Sequence, residues 1–591
     1  MLINALRSAY NVIYQSAVKY KSVVAWVLAL IVTALVLISY QSNFLERIEL
    51  LTLDYRFHLR HVQSRPSDVV FIDMAEDSIN VIGRWPWPRK WHAALIKILS
   101  PYRPKAIAFD VIFSEPQDEI DDTALEESIR QSGAVYMPLV YDIETDRVPM
   151  LYKGEGVNSV HEPIARFRDV LKGSGHINAV PDSDGILRRA PPLIKFKDKM
   201  TYQLGIKIAA DTLGIKDADI SFDPIRHRIS MKRPDGRTST VSLDYNNQLI
   251  INWLGKWGKE FKHYSYIDVI KSYASIGEGA KPLIDLNEFK NKICIIGLTA
   301  AGLIDIKPIP IESAYPAVGT NAMIISSVLS ENFIKVPPDW VNIILLIAVS
   351  LAMTLALCNL RLLTGIALSI TVIVLYAAFS FLLFGFFNIA VVTFYPILAI
   401  ALAYVLTASY TQVLQTIDRM NLFKQATRDG LTQLYNIRHF NLLLEAEFRN
   451  IALLKFRRLS IIMADLDNFK KANDTYGHPA GDIILRETAN IIQSKCRQLD
   501  VVGRYGGEEF IVMLSGSMAE DAADLADKIR LAVEAKKFKF GDVTYSTTLS
   551  LGVAEYSNEK TKNELVEKAD KALYHSKETG KNRVTIYSDS L

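Results

Sequence analysis

The sequence predicts a multi-domain membrane protein with an α/β domain, four transmembrane α-helices and a C-terminal α+β domain. The first observation is length, because 591 residues greatly exceed one domain of about 150 residues. The second is composition, since 50% of the residues are apolar and only 22% are charged, which is typical of a membrane protein with large soluble parts. The third is distribution, because the apolar residues concentrate in long uncharged segments that begin at Ser22 and Trp340. The formal net charge of +3 gives no support to nucleic-acid binding, and three widely separated cysteines indicate no zinc site.

Four segments are long enough to cross a hydrocarbon core, which takes about 20 helical residues. The predicted spans are residues 22–45, 340–360, 362–384 and 389–410, and the last two are separated at Gly385-Phe386-Phe387-Asn388. A cleaved signal peptide is the alternative for the first segment. Its apolar centre, Val23–Ile38, is longer than the roughly 7–15 residues of a signal core, which favours a retained span.

Lysine and arginine residues near the span ends predict the orientation. The positive-inside rule places these basic residues in the cytoplasm: Arg7, Lys19, Lys21, Arg361, Arg419, Lys424 and Arg428. Residues 1–21 are therefore predicted to be a cytoplasmic tail, and residues 46–338 an outer domain. Residues 411–428 are predicted to form a cytoplasmic helical linker, and residues 429–591 a cytoplasmic domain.

Short apolar runs in the outer domain predict buried parallel strands in an α/β fold. The runs and one helical segment are Val69–Asp73, Ala106–Asp110, Ile293–Gly297 and Trp91–Leu99. Ligands of parallel sheets usually lie beyond the carboxyl ends of the strands, where Asp73 and Asp110 are expected. The simpler interpretation is that these two acids cap helices or end strands.

Several motifs of the outer domain occur together. They are Gly83-Arg84-Trp85-Pro86-Trp87-Pro88-Arg89, Ala106–Phe113, Gly175-His176-Ile177-Asn178, Asp182-Ser183-Asp184-Gly185 with Arg188-Arg189, and Ile295-Ile296-Gly297-Leu298-Thr299-Ala300. Together they resemble the second class of CHASE extracellular sensor domains across roughly residues 50–329. The resemblance implies a receptor for an unknown extracytoplasmic ligand, usually followed by membrane helices and a cyclase or kinase. The Trp-Pro-Trp-Pro stretch fits a binding surface, but a rigid loop covering the core is the expected role.

The connector contains apolar positions that step by four and three, which is the spacing of a parallel coiled-coil seam. These positions are Leu406, Tyr410, Val413, Ile417 and Met420. The seam covers fewer than three heptads, and its first half fits a lipid-facing surface equally well. A homodimer is the working expectation.

Two acidic groups in the C-terminal domain predict a metal site. Residues 459–465 form an apolar strand ending at Asp465, and residues 501–514 read as a hairpin around Gly506-Gly507 with Glu508 at its turn. We expect the two glycines to form a two-residue turn with positive φ. Carboxylates on neighbouring strand ends suit a pair of Mg²⁺ ions about 3.5–4 Å apart, which stabilise an in-line phosphoryl displacement. The predicted reaction class is nucleotidyl transfer.

Four motifs occur in order in this domain. They are Asp429-Gly430-Leu431-Thr432, the run Asp465-x-Asp467-x-x-Lys470-x-x-Asn473 with His478 and Asp482, and Gly506-Gly507-Glu508-Glu509-Phe510 followed by Ala569-Asp570 and Lys577. Together they resemble the GGDEF family of diguanylate cyclases over residues 429–587. This resemblance implies a palm-like α+β cyclase domain that joins two GTP molecules into cyclic di-GMP across a homodimer, at the inner membrane of a bacterial cell.

The resemblance also implies roles for individual residues. Asp465, the Leu466 carbonyl and Glu508 would hold two Mg²⁺ ions per active site, with Mn²⁺ as an alternative. Glu508 would act as the base for the ribose 3′-hydroxyl, and Lys470 would stabilise the transition state. The residues implied to contact GTP are Asn473, His478, Asp482, Gly506, Gly507, Lys577 and Lys581.

Two further features qualify the prediction. The family commonly has arginine where this chain has Lys581, and lysine lacks the bidentate fork, so weaker phosphate binding is expected. Arg497 and Asp500 have the spacing of the family's inhibitory site, which predicts feedback inhibition by cyclic di-GMP; an ordinary surface ion pair is the alternative.

A catalytically silent domain that only binds cyclic di-GMP or partner proteins is the alternative to an enzyme.

Overall fold

The computed structural model of the protein describes residues 21–60, 68–300, 302–454, 458–541 and 543–591. The chain forms two compact units that meet in sequence between Tyr410 and Thr411. Most of the predicted cytoplasmic tail, including Arg7 and Lys19, lies outside the described residues.

The α-helices that begin in the first unit are α1 (Lys21–Gln41), α2 (Glu46–Leu59), α3 (Glu76–Ile82), α4 (Arg89–Leu99), α5 (Glu119–Ser132), α6 (Ala165–Arg168), α7 (Leu204–Thr212), α8 (Tyr266–Gly277), α9 (Val318–Ser330), α10 (Asp339–Leu357), α11 (Leu362–Phe387) and α12 (Phe394–Thr427). Its strands are β1 (Val69–Met74), β2 (Ala106–Phe109), β3 (Val135–Ile143), β4 (Val157–His161), β5 (Gly173–His176), β6 (Arg189–Ala190), β7 (Leu193–Phe196), β8 (Lys199–Tyr202), β9 (Ile220–Asp223), β10 (Arg228–Lys232), β11 (Thr238–Ser242), β12 (Leu249–Ile250), β13 (Lys262–Ser265), β14 (Ile293–Leu298), β15 (Ile306–Ile309) and β16 (Glu312–Pro316). Short 3₁₀ helices lie at Ser100–Tyr102, Thr145–Lys153, Asp217–Asp219 and Leu286–Phe289.

Four helices, α1, α10, α11 and α12, are long and apolar enough to cross a membrane. As predicted, the chain breaks after Phe387, where Asn388 adopts a left-handed conformation with φ of 54°. The last helix begins at Phe394 rather than at the predicted residue 389, and it runs through the predicted boundary at residue 410 as one helix of 34 residues. The Glu49 carboxylate accepts hydrogen bonds from the backbone amides of Thr393 and Phe394, and this capping explains the later start.

The first unit is built on a seven-stranded sheet with the order β13-β1-β14-β2-β3-β4, in which β5 also pairs with β3. Parallel pairings join β13, β1, β14, β2 and β3 in that order, and a further parallel pairing joins β3 to β5. These pairings confirm the predicted parallel strands. Alternate residues of β1 enter two separate cores, with Val69 and Phe71 on one face and Val70 and Ile72 on the other. Because both faces are covered, the strands are apolar throughout instead of alternating with polar residues.

The Trp-Pro-Trp-Pro loop covers one of these cores. Trp87 is 2% exposed and packs with His92 and Tyr266, and its indole N–H donates to the Gly83 carbonyl oxygen at 2.8 Å. Trp85 contacts the ring of Trp87 edge to face. The packing agrees with the expected structural role of this loop.

The second unit contains the helices α13 (Ile437–Leu454), α14 (Phe469–Tyr476), α15 (His478–Lys495), α16 (Ala519–Ala535) and α17 (Lys562–Glu578). Its strands are β17 (Tyr435–Asn436), β18 (Leu459–Leu466), β19 (Val501–Arg504), β20 (Glu509–Ser515), β21 (Phe538–Phe540), β22 (Val543–Tyr545), β23 (Leu549–Glu555) and β24 (Val584–Ile586). A six-stranded sheet has the order β17-β19-β20-β18-β23-β24, with β18 antiparallel to both β20 and β23. Helices and a mixed sheet in one unit agree with the predicted α+β class.

Candidate active site

The central strand β18 brings its C-terminal aspartate to the start of β20. Asp465 lies opposite Glu509 in the antiparallel ladder, and the Leu466 amide donates to the Glu508 carbonyl oxygen at 3.4 Å. Residues directly opposite in such a ladder project from the same face of the sheet. The strand register therefore places Asp465 beside Glu509, and the predicted ligand Glu508 lies one residue earlier, in the turn before β20.

The turn between β19 and β20 differs from the predicted one. It comprises residues 505–508, and neither Gly506 nor Gly507 has positive φ, so the expected two-residue turn is wrong. A Cβ atom at Gly506 would lie 2.4 Å from Glu509 Oε2, whereas one at Gly507 would meet nothing within 4 Å. A side chain at Gly506 would displace the Glu509 carboxylate from its present position, whereas the backbone at Gly507 is open to an approaching group.

The carboxylates of this edge crowd one another. Asp465 is 4% exposed, and burial raises its pKa, while Lys577 Nζ at 2.7 Å from Asp465 Oδ2 opposes that rise. Burial and the charge of Asp465 raise the pKa values of both Glu508 and Glu509. A divalent cation would relieve this repulsion.

The residues present fit Mg²⁺, which takes one or two carboxylates and completes its shell with water and substrate phosphates. Asp465 and Glu508 would provide the carboxylates, and Leu466 a backbone carbonyl. No group of three or more His, Cys, Asp or Glu side chains with metal-binding geometry occurs within the described part of the chain. A site that relies on substrate oxygens does not need such a group.

The predicted guanine-binding residues lie on α14 and α15. Asn473 Oδ1 is buried and has no hydrogen-bond partner among the described residues, so it is an acceptor available to a ligand. A Cβ atom at Gly481 would lie 1.9 Å from this oxygen, which explains the glycine there. His478 and Asp482 are exposed in the first turns of α15, and Lys470 is exposed on α14.

The two predicted triphosphate lysines both lie near Asp465. Lys577 forms the ion pair described above, and the charge of Lys581 also acts on the Asp465 carboxyl. Lys581 Nζ donates to Asn468 Oδ1 at 2.7 Å, in the loop that follows β18. The structure therefore places both lysines beside the carboxylate edge.

Sequence reasoning missed a set of residues that hold this edge in place. Arg504 Nη1 contacts Asp429 at 3.1 Å, while its other nitrogens donate to the carbonyl oxygens of Gly506 at 3.2 Å and Gly507 at 2.6 Å. Asp429 belongs to a motif that the sequence analysis quoted without a role, and that motif was the available signal. The arginine forms a clamp that links the first motif of the domain to the glycine turn.

Asp467 was likewise missed as a structural residue. It is 3% exposed and accepts hydrogen bonds from Thr548 Oγ1 and Ser550 Oγ, both at 2.7 Å, and from the Asn582 amide at 3.1 Å. These bonds tie the loop after Asp465 to β23 and to the Lys581 segment.

The predicted inhibitory pair lies in a turn beyond α15. The Asp500 carboxylate accepts a 2.7 Å hydrogen bond from the backbone amide of Arg497, so it shapes the turn. The Arg497 side chain is exposed.

Comparison with known proteins identifies both units. The profile of the CHASE2 domain matches residues 27–355, more than half of the chain. The protein belongs to the CHASE2 family. A second profile, described as diguanylate cyclase, GGDEF domain, matches residues 426–583.

Similar curated proteins match the GGDEF domain. Diguanylate cyclase A of Treponema denticola is 44% identical over 179 residues, which are 30% of this chain and 48% of that protein. Diguanylate cyclase DosC of Escherichia coli K12 is 35% identical over 29% of this chain and 38% of its own length. Response regulator PleD of Caulobacter vibrioides is 37% identical over 27% of this chain and 36% of its own length. This chain thus matches about half or less of the length of each of these relatives.

Among solved structures, the GGDEF domain of DgcB from Caulobacter crescentus in complex with c-di-GMP is 34% identical. It aligns with 27% of this chain and 95% of that chain, with a TM-score of 0.27.

Proposed function

We propose that the protein is a membrane-bound diguanylate cyclase, which makes cyclic di-GMP and pyrophosphate from two GTP molecules under the control of its extracytoplasmic CHASE2 domain. The observation that carries the proposal is the edge where Asp465 lies opposite Glu509 and beside Glu508, with Lys577 at 2.7 Å. Two of the relatives that match the GGDEF domain are named diguanylate cyclases, which supports the same activity.

The residues have distinct roles in the proposed reaction. Mg²⁺ held by Asp465, Glu508 and the Leu466 carbonyl would supply electrophilic stabilisation of the phosphates. Glu508, whose raised pKa makes it a better proton acceptor, takes the proton from the ribose 3′-hydroxyl. The 3′ oxygen then attacks the α-phosphorus of the GTP on the partner subunit, and the bond to the leaving pyrophosphate breaks.

The other predicted residues bind GTP and neutralise its charge. The free Asn473 Oδ1 accepts from guanine, Asp482 accepts from its N–H edge, and His478 lies beside the nucleotide. Lys470, Lys577 and Lys581 balance the negative charge that grows on the phosphates. At Gly507, where a Cβ atom would meet nothing within 4 Å, the backbone is accessible to the phosphates.

The reaction requires two active sites that face each other, so we propose a homodimer. On the predicted seam, Val413 and Met420 are 58% and 51% exposed in the single chain and are available to a second copy, whereas Ile417 is 6% exposed and is not. The four apolar helices and the lysine and arginine positions support a topology with the CHASE2 domain outside the membrane and the GGDEF domain in the cytoplasm.

We also propose that cyclic di-GMP inhibits the enzyme at Arg497 and Asp500. The exposed guanidinium is free to make a forked contact with the guanine O6/N7 edge. Replacing Arg497 with alanine should abolish inhibition by added product, and unchanged inhibition would contradict this role.

The test of the main proposal uses the purified full chain in detergent, with Mg²⁺ and GTP, and follows cyclic di-GMP by chromatography. The wild type should form product, and Glu508→Gln should lower the rate by at least about a hundredfold. Glu567→Gln is the matched control, since Glu567 is exposed on α17 and pairs with the exposed Lys571. If the wild type forms no product under conditions where it is folded and binds GTP, the silent-domain alternative replaces the enzyme.

A further inference from the structure

A cavity of about 300 Å³ lies in the first unit, where three of its apolar helices end together. The C-terminal end of α1 contributes Tyr40, and the N-terminal ends of α10 and α12 contribute Asp339, Asn342 and Tyr395. The rest of the wall comes from the start of α2 and the turn before it, from Arg189, Tyr245 and Val336, and from the segment between α11 and α12. In the proposed topology this cavity lies at the outer surface of the membrane.

Asn342 gives the cavity an unused hydrogen-bond acceptor. Its side chain is 5% exposed and contacts the Tyr40 hydroxyl, but its Oδ1 has no hydrogen-bond partner among the residues described. A buried carbonyl oxygen without a donor costs about 1–3 kcal/mol. A ligand that supplies an N–H or O–H would remove this cost.

The two tyrosine hydroxyls of the cavity wall are already engaged as donors, and the Arg189 guanidinium on the wall lies 3.5 Å from Glu46 and 3.3 Å from Asp244. The Tyr40 hydroxyl donates to Asp339, and the Tyr245 hydroxyl donates to Glu46 Oε1 at 3.2 Å. Glu49 is occupied by the amides of α12 and by Arg56 at 3.5 Å. What remains toward the cavity is acceptor capacity, on Asn342 and on the carboxylates of Glu46 and Asp339.

The charge balance around the cavity is negative. Arg188 and Arg189 share one ionic network with five carboxylates, which are Asp54, Asp182, Asp184, Asp244 and Glu46. Burial raises the pKa values of Asp54 and Asp244. Of this network only Glu46 and Arg189 line the cavity. With Glu49 and Asp339 the wall carries three carboxylates and one guanidinium, so its charge favours an added cation.

Aromatic rings complete the wall. Tyr40 and Tyr395 contact each other edge to face with ring centroids 5.2 Å apart, and the Tyr245 ring lies on the same cavity. Tyrosine faces attract cations, and with Leu50 they provide an apolar surface. Acceptors, excess negative charge and aromatic rings together define the chemistry of the occupant.

We propose that this cavity binds a protonated primary amine with a short apolar body, presented either by a lipid headgroup or by a soluble amine. The ammonium donates to Asn342 Oδ1 and lies near the Glu46 carboxylate, while the apolar body contacts the tyrosine rings. This assignment does not depend on the cyclase activity, because binding alone tests it.

The experiment uses the full chain in dodecyl maltoside, a neutral detergent without amines, and measures binding by calorimetry. The probe is phenethylamine, and 2-phenylethanol is its neutral counterpart of similar shape. The amine should bind at least about tenfold more tightly than the alcohol, since a charged hydrogen bond is worth about 1.5–3 kcal/mol. Equal binding of the two compounds, or no binding of the amine, would overturn the proposal without any variant.

Variants locate the amine within the protein. Asn342→Ala and Glu46→Gln should each weaken phenethylamine binding at least about fivefold and leave 2-phenylethanol binding unchanged. Asn359→Ala is the matched control, because Asn359 is exposed just beyond the opposite end of α10. If both cavity variants retain the thermal unfolding temperature and the amine affinity of the wild type, the amine binds elsewhere and the assignment is wrong.

A competition experiment distinguishes the two sources of the amine. Short-chain phosphatidylethanolamine that displaces phenethylamine, where phosphatidylglycerol does not, identifies a lipid headgroup as the occupant. Retained phenethylamine binding in the presence of both lipids identifies a soluble amine.

Discussion

Two sheets of this protein end apolar strands on aspartates, but the surroundings of these aspartates differ. In the CHASE2 domain, Asp73 Oδ2 lies 2.8 Å from His263 Nδ1, and Asp110 Oδ1 accepts from the Asn321 amide at 2.9 Å. In the GGDEF domain, Asp465 lies among two glutamates and a lysine. A carboxylate with one donor beside it serves as a structural contact, whereas several carboxylates crowded together need cations. The comparison teaches that the neighbours, and not the strand-end pattern, distinguish the two kinds of site.

The largest expected effect is the difference in cyclic di-GMP synthesis between variants of Asp465 and Asp73. Asp465→Asn should lower cyclic di-GMP synthesis by at least about a thousandfold, because it removes a metal ligand. Asp73→Asn should leave the rate of the full chain within about threefold of the wild type. Both variants are assayed with Mg²⁺ and GTP at equal protein concentration. A comparable loss of cyclic di-GMP synthesis in both variants would contradict the proposed difference between the two aspartates.

A pH experiment sharpens the comparison on the side of the CHASE2 domain. Burial and the charge of Asp305 raise the pKa of Asp110 to about 7. The folded protein therefore keeps a proton that the unfolded chain releases near pH 4, so the wild type loses stability as the pH rises from about 4 to 7. Asp110→Asn removes this loss and should stabilise the first unit by about 2–3 kcal/mol more at pH 8 than at pH 5.

Tryptophan fluorescence during thermal unfolding provides the readout for Asp110. All seven tryptophans precede Thr411, so the signal reports the first unit alone. An effect of Asp110→Asn that is the same at pH 5 and pH 8 would contradict the assigned titration.

The smallest of the three effects concerns the clamp behind the glycine turn. Arg504→Ala removes the contacts with Asp429, Gly506 and Gly507, and it should lower the cyclase rate by about ten- to thirtyfold through misplacement of Glu508. Arg504→Lys should recover only part of the rate, because an ammonium cannot reproduce the fork. Arg449→Ala, which removes an exposed pair with Glu445, is the control. If Arg504→Ala has the same rate as that control, the clamp has no role in positioning.

The fold could be predicted where apolar patterns are long or strongly marked. The strands that end at Asp73, Asp110 and Asp465 and the break at Asn388 follow from composition and length. The start of α12 at Phe394 could not be predicted, because it depends on capping by Glu49, which is distant in sequence. The predicted two-residue turn was wrong because Gly506 does not have a positive φ; its missing side chain leaves room for the Glu509 carboxylate. The clamp of Asp429 and Arg504 is a pairing between distant segments that local sequence patterns do not show.

The central claim is that Asp465 and Glu508 together bind divalent cations. The most direct measurement is Mn²⁺ binding by electron paramagnetic resonance on the full chain, in the presence of a non-hydrolysable GTP analogue. The wild type should remove free Mn²⁺ from solution, and Asp465→Asn and Glu508→Gln should each weaken the Mn²⁺ affinity at least about tenfold. The double variant should lose less binding free energy than the sum of the losses in the two single variants. Unchanged Mn²⁺ affinity in both folded variants would contradict the claim.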